Sequence, residues 1–199
     1  MRLAAIAWGL ALALAAGPAG AGTLCTLVLD AHTGATLVEQ GDCRARVTPA
    51  STFKIPLAVI GYEAGVLRDA HAPVMAFRPG DPDWGGEAWR RDTDPAAWMR
   101  FSVVWYSQRI TRALGAETLS RRLAAFGYGN ADVSGDPGRD NGLERAWLSS
   151  SLAISAHEQA TFLRALAGDA LPAPAEAMRK ARALLETRQV EGWTLRGKT

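Results

Sequence analysis

Cysteine is nearly absent from this chain: Cys25 and Cys43 are the only two. Histidine is equally sparse. His32, His71 and His157 stand far apart, without the paired spacing that a metal site needs, so no metal is expected. An excess of charge of one sign is missing too. The formal net charge is only +2, with acids and bases interspersed, which leaves no electrostatic footprint for nucleic acid. Arg90-Arg91 and Arg121-Arg122 read as solvated faces, and Asp81, Asp83, Asp92 and Asp94 as solvated acids in a turn-rich stretch. After the first two dozen residues no apolar run approaches the ~20 residues of a membrane span. Repeats and low-complexity blocks are absent. What remains is a chain of 199 residues, 48% apolar, which suffices for one domain with a true core.

The beginning of the chain differs from the rest. Arg2 precedes the apolar run Leu3 to Ala16, Gly17-Pro18 breaks it, and Ala19-Gly20-Ala21 offers small residues for signal peptidase. Residues 1–21 are therefore expected to be a secretory signal peptide, which implies a periplasmic protein with no membrane attachment after cleavage. The alternative is a retained helix, but the run is short and no basic stop follows it. Export leads to an oxidising compartment. Cys25 and Cys43 flank an expected hairpin, Thr26 to Asp30 and Ala35 to Gln40 about a turn at His32-Thr33-Gly34. Antiparallel pairing brings its ends together, so a disulfide is expected; the alternative is two free thiols.

Further along, Thr48-Pro49 resembles an N-cap followed by proline, opening a helix to about Glu63 with Pro56 inside it. Residues 73–95 read as a long loop. Helices are expected from Pro95 to Met99, from about Val103 to Leu114 and from about Ala116 to Phe126, and residues 127–145 again as loop. Ser155 and Glu158 form a capping-box pattern for a helix to about Ala167. Another helix is expected from Pro174 to Thr187, then a strand from Val190 to Lys198. Strands at both ends with helices between imply an α/β sandwich.

The chemistry begins at Ser51-Thr52-Phe53-Lys54. Positions i and i+3 of a helix share a face, so the serine and the lysine can meet. Serine attacks only when a neighbouring base takes its proton, and a helix N-terminus adds backbone N–H groups for an oxyanion. A Ser-x-x-Lys tetrad is common by chance. Three further elements follow it in order: Ser102-Val103-Val104 at a helix start, Tyr128-Gly129-Asn130 in a glycine-rich loop, and Lys198-Thr199 at the end of a strand. Serine with lysine three on, a second serine motif and a strand Lys-Thr are the set used by penicillin-recognising serine enzymes.

Together with Trp147-Leu148, Pro82-Asp83-Trp84-Gly85-Gly86 and Trp105-Tyr106-Ser107-Gln108, these motifs resemble the class D (oxacillin-hydrolysing) serine β-lactamases over essentially the whole mature chain, residues 22–199. Ser-x-Val with Tyr-Gly-Asn distinguishes class D from class A, whose Ser-Asp-Asn and Glu-x-x-Leu-Asn are not found. The resemblance implies an antiparallel sheet flanked by helices plus an all-helical region. It implies that Ser51 forms an acyl-enzyme with a β-lactam. It also implies that Lys54 is carboxylated by CO2 to a carbamate base, no other cofactor being expected. Val104, Phe53 and Leu148 would form the apolar wall that keeps the Lys54 amine neutral, and Trp147 would donate to the carbamate. Ser102 would pass a proton to the leaving nitrogen, and Lys198 and Thr199 would orient the substrate, with Tyr128 and Asn130 in the substrate loop.

The family continues with a glycine, two more strands and a C-terminal helix, bringing a second oxyanion donor and a carboxylate-binding arginine. Residues 22–199 alone are therefore expected to be unstable and inactive, with an exposed sheet edge. Two other functions use similar motifs. A β-lactam sensor keeps its acyl-serine, and a penicillin-binding peptidase acts on D-Ala-D-Ala peptides.

Overall fold

The computed structural model describes residues 23–198; the expected signal peptide and Thr199 lie outside the described residues. Strands β1 (Cys25–Leu29) and β2 (Thr36–Gly41) form the expected antiparallel hairpin. Asp30 closes its turn, accepting from the backbone N–H of His32 at 3.0 Å and of Thr33 at 2.6 Å. The register sets Cys25 opposite Gly41, two residues short of Cys43, and the two cysteines are joined as a disulfide with Cα atoms 5.0 Å apart.

The chain then enters a short 3₁₀ helix, Ala50–Phe53, which runs directly into α1 (Lys54–Glu63). The single α-helix expected from Pro49 is thus divided. Thr48 does not cap it, and the Thr52 hydroxyl instead donates to the carbonyl of Pro49 at 2.7 Å. Pro56 falls in the first turn of α1, where a missing N–H removes little. Helix α1 is apolar all round, and every residue from Lys54 to Tyr62 is buried, so it forms the axis of the core.

Helices α2 (Pro95–Phe101), α3 (Val104–Leu114) and α4 (Ala116–Ala125) follow as expected. Asp94 caps α2, accepting from Ala97 N–H at 2.7 Å. The stretch expected as loop up to residue 145 ends earlier, because α5 (Gly142–Ser149) begins within it. Gly142 lies so close to the opposing loop that an added Cβ would stand 1.9 Å from the Val133 carbonyl oxygen. Helix α6 (Ala156–Ala167) carries the full capping box of Ser155 and Glu158. It also ties down the first hairpin, Arg164 donating to the carbonyls of Ala31 and His32 at 2.9 Å each.

Helix α7 (Ala175–Ala183) packs along α1 but stops four residues before Thr187. The chain enters β3 (Glu186–Val190), turns at Glu191-Gly192 and returns as β4 (Trp193–Gly197). Both turn residues have positive φ, 48° and 82°, the geometry that suits a two-residue hairpin. The last strand is therefore half of a hairpin. Among the described residues β1–β2 and β3–β4 are two separate two-stranded sheets around the helices.

Candidate active site

The 3₁₀ turn places Ser51 and Lys54 on one face, since residues three apart eclipse at three residues per turn. Ala50 enters the turn with φ 48°, a conformation a residue with a side chain rarely adopts. Ser51 is half-buried at the helix start, and Lys54 is 0% exposed. The Lys54 Nζ is buried with no hydrogen-bond partner among the described residues. Burial above all, and then the charge of Lys198, pulls its pKa down from 10.5 to about 7.

Trp147 comes from α5 and lies against the same turn, its ring stacked on Phe53 at 5.0 Å and 20°. Among the described residues four tryptophans are buried: Trp89, Trp98, Trp105 and Trp147. Three of their indole N–H groups donate at 2.8 Å, from Trp89 to the Phe101 carbonyl, from Trp98 to Ser107 Oγ and from Trp105 to the Trp89 carbonyl. The Trp147 N–H alone among them has no acceptor. Buried donors are nearly always satisfied, yet Lys54 Nζ, Trp147 Nε1 and the Tyr128 hydroxyl all lack a partner among the described residues, and Trp147 and Tyr128 both lie against Phe53.

Ser102 ends α2 in the left-handed region, φ 57° and ψ 33°. Lys198 follows β4, and its Nζ donates to Ser102 Oγ at 2.5 Å across 96 residues of sequence. Burial lowers the Lys198 pKa, against the opposing pull of Glu186. Val104 opens α3 and is buried, while Leu148 is half-buried on α5 next to Trp147.

Tyr128 is fully buried, tilted on Phe53 at 6.4 Å and edge-on to Phe162 at 5.1 Å. Its hydroxyl makes no hydrogen bond of normal geometry, and burial pushes its pKa up. Asn130 is exposed and its amide is engaged with backbone: it donates to the Ser151 carbonyl at 2.8 Å and accepts from Ala153 N–H at 3.0 Å. Gly129 permits this contact, since a Cβ there would meet the Ala153 carbonyl oxygen at 2.1 Å. The Tyr-Gly-Asn loop thus buttresses the segment behind α5. The sequence did not single out Trp89, which sits in a stretch read as loop, or Ala50, whose strained backbone leaves no mark in composition. Among the described residues no group of three His, Cys, Asp or Glu side chains is placed to hold a metal.

The family described as the penicillin binding protein transpeptidase domain matches residues 24–199. β-Lactamase OXA-9 of Klebsiella pneumoniae is 41% identical over 176 residues, covering 88% of this chain and 64% of its own length. β-Lactamase OXA-1 of Escherichia coli is 40% identical over 150 residues, covering 74% of this chain and 53% of its own. The chain thus spans between half and two thirds of these relatives. The crystal structure of the class D β-lactamase OXA-427 superposes with a TM-score of 0.83 at 46% identity, over 88% of this chain and 72% of that one. The fold is accordingly the β-lactamase/transpeptidase fold. The chain belongs to the penicillin binding protein transpeptidase domain family and, within it, to the class D β-lactamases.

Proposed function

We propose that the protein hydrolyses the β-lactam ring of penicillin-type antibiotics through an acyl-serine intermediate and so confers resistance. It would do this in the periplasm, after loss of residues 1–21, with residues 22–199 belonging to the catalytic domain. The observation that carries this reading is Lys54. It is a fully buried amine with no partner, its pKa is near neutrality, and it lies one 3₁₀ turn from a half-buried serine.

Ser51 is the nucleophile, and its own backbone N–H at the helix start faces the developing oxyanion. Lys54 and Trp147 would hold the carbamate, which supplies the base that takes the serine proton and later that of the attacking water. Ser102 gives a proton to the departing ring nitrogen and recovers one from Lys198, which sits at hydrogen-bond distance. Lys198 and Thr199 meet the substrate carboxylate. Val104, Phe53 and Leu148 exclude water from the Lys54 nitrogen. Tyr128 and Asn130 set the wall behind the substrate.

The test is turnover of nitrocefin by the full-length protein, with intact-mass analysis of the penicillin adduct. Hydrolysis, with a transient adduct on Ser51, is expected. A permanent adduct would instead identify a β-lactam sensor. Release of D-alanine from D-Ala-D-Ala peptides without β-lactam turnover would identify a penicillin-binding peptidase.

A further inference from the structure

Ser102 holds a backbone conformation that its side chain does not favour, yet its hydroxyl accepts from Lys198 Nζ at 2.5 Å. Something must over-determine that conformation. The peptide plane between Phe101 and Ser102 is gripped at both ends. Its N–H, on Ser102, donates to the Trp98 carbonyl, the last bond of α2. Its carbonyl, on Phe101, lies past the reach of the helix and accepts from the Trp89 indole at 2.8 Å. The next N–H, on Val103, returns to the Trp98 carbonyl at 3.2 Å.

Trp89 is itself fixed. Its carbonyl accepts from the Trp105 indole of α3 at 2.8 Å. Its ring is covered by Trp84 at 4.3 Å and by the bare backbone of Gly85, where an added Cβ would stand 2.0 Å from Trp89 Cε2. One indole thus ties the 82–89 loop to the peptide that aims the Ser102 hydroxyl. Trp89 is 4% exposed, so its ring is buried rather than open to solvent.

We propose that Trp89 is a positioning residue for Ser102: its N–H holds the Phe101 carbonyl so that the left-handed Ser102 presents its hydroxyl to Lys198 and to the leaving nitrogen. This rests on the assignment of Ser102 as a proton shuttle in β-lactam acylation. Trp89 touches neither substrate nor reacting atoms, and it acts on the acylation step, where the ring nitrogen takes its proton, rather than on deacylation.

The test is a double-mutant cycle in the full-length protein with Trp89→Phe, which keeps an aromatic ring and removes the donor, and Ser102→Ala. Stopped-flow acylation by nitrocefin is normalised to the folded fraction read from near-ultraviolet circular dichroism, so only folded molecules are counted. Ser102→Ala is expected to slow acylation about 100-fold and Trp89→Phe about tenfold, with deacylation unchanged in Trp89→Phe. On the Ser102→Ala background Trp89→Phe should then change the rate by about twofold or less. A tenfold loss repeated on that background, a parallel loss in deacylation, or no loss in the single variant would overturn the proposal. Absence of any Ser51 adduct in the unmutated protein would instead overturn the enzymatic reading itself.

Discussion

A lysine that is buried and uncharged is an expensive thing to fold, and replacing Lys54 by methionine measures that expense. The amine titrates near pH 7 in the folded protein and at 10.5 when exposed. Its folded pKa is depressed, so between these values the unfolded chain binds more protons than the folded one. Stability therefore climbs as pH rises from 7 to 10.5 and is at its lowest below 7. Linkage puts the deficit at about 4 kcal/mol at pH 7, shrinking to about 1 kcal/mol at pH 10. Methionine is similarly long and unbranched, fills the same apolar space and carries no charge. Lys54→Met is expected to raise the unfolding free energy by about 4 kcal/mol at pH 7 in CO2-free buffer, while abolishing β-lactam turnover. The assay is urea unfolding of both proteins from pH 6 to pH 10, with the difference between them plotted against pH. A variant less stable than the parent, or a difference that does not vary with pH, would refute the assignment of Lys54 as a neutral buried amine.

Two further predictions concern the neighbourhood. Trp147→Phe keeps a ring to stack on Phe53 and removes a donor that has no acceptor, so in CO2-free buffer it should be neutral or stabilising by about 1 kcal/mol. Its activity should require about tenfold more bicarbonate for saturation, read from nitrocefin rates across a bicarbonate series. The Cys25–Cys43 disulfide closes a loop with a sequence separation of 18, which constrains the unfolded chain by about 3 kcal/mol. A Cys25→Ser/Cys43→Ser double variant should lose that amount in denaturant unfolding; an unmoved midpoint would show that α6, through Arg164, holds the hairpin by itself.

Much of this arrangement was legible in the sequence wherever the signal was local. The Ser155–Glu158 capping box announced α6, whereas Asp94, read as a solvated acid, turns out to cap α2. The disulfide followed from two cysteines flanking a hairpin. The three-residue spacing of Ser51 to Lys54 was visible, although the turn that carries it is 3₁₀ and not α. Signals that depend on distant partners were harder to see. Ala177, Ala181 and Leu184 carried a helical pattern past Ala183, but pairing with β4 claims Glu186–Val190, whose exposed side chains show no one-sided period. Nor could composition rank the tryptophans. Only the structure separates Trp147, whose N–H lacks an acceptor, from Trp89, Trp98 and Trp105, whose N–H groups have one.

The most direct measurement is carbon-13 NMR of the full-length protein in labelled bicarbonate. A single carbamate resonance should appear in step with nitrocefin activity, fade as the pH falls below neutrality and be missing from Lys54→Met. Full β-lactam turnover with no such resonance, Lys54 remaining an unmodified amine, would contradict the chemistry assigned to this site.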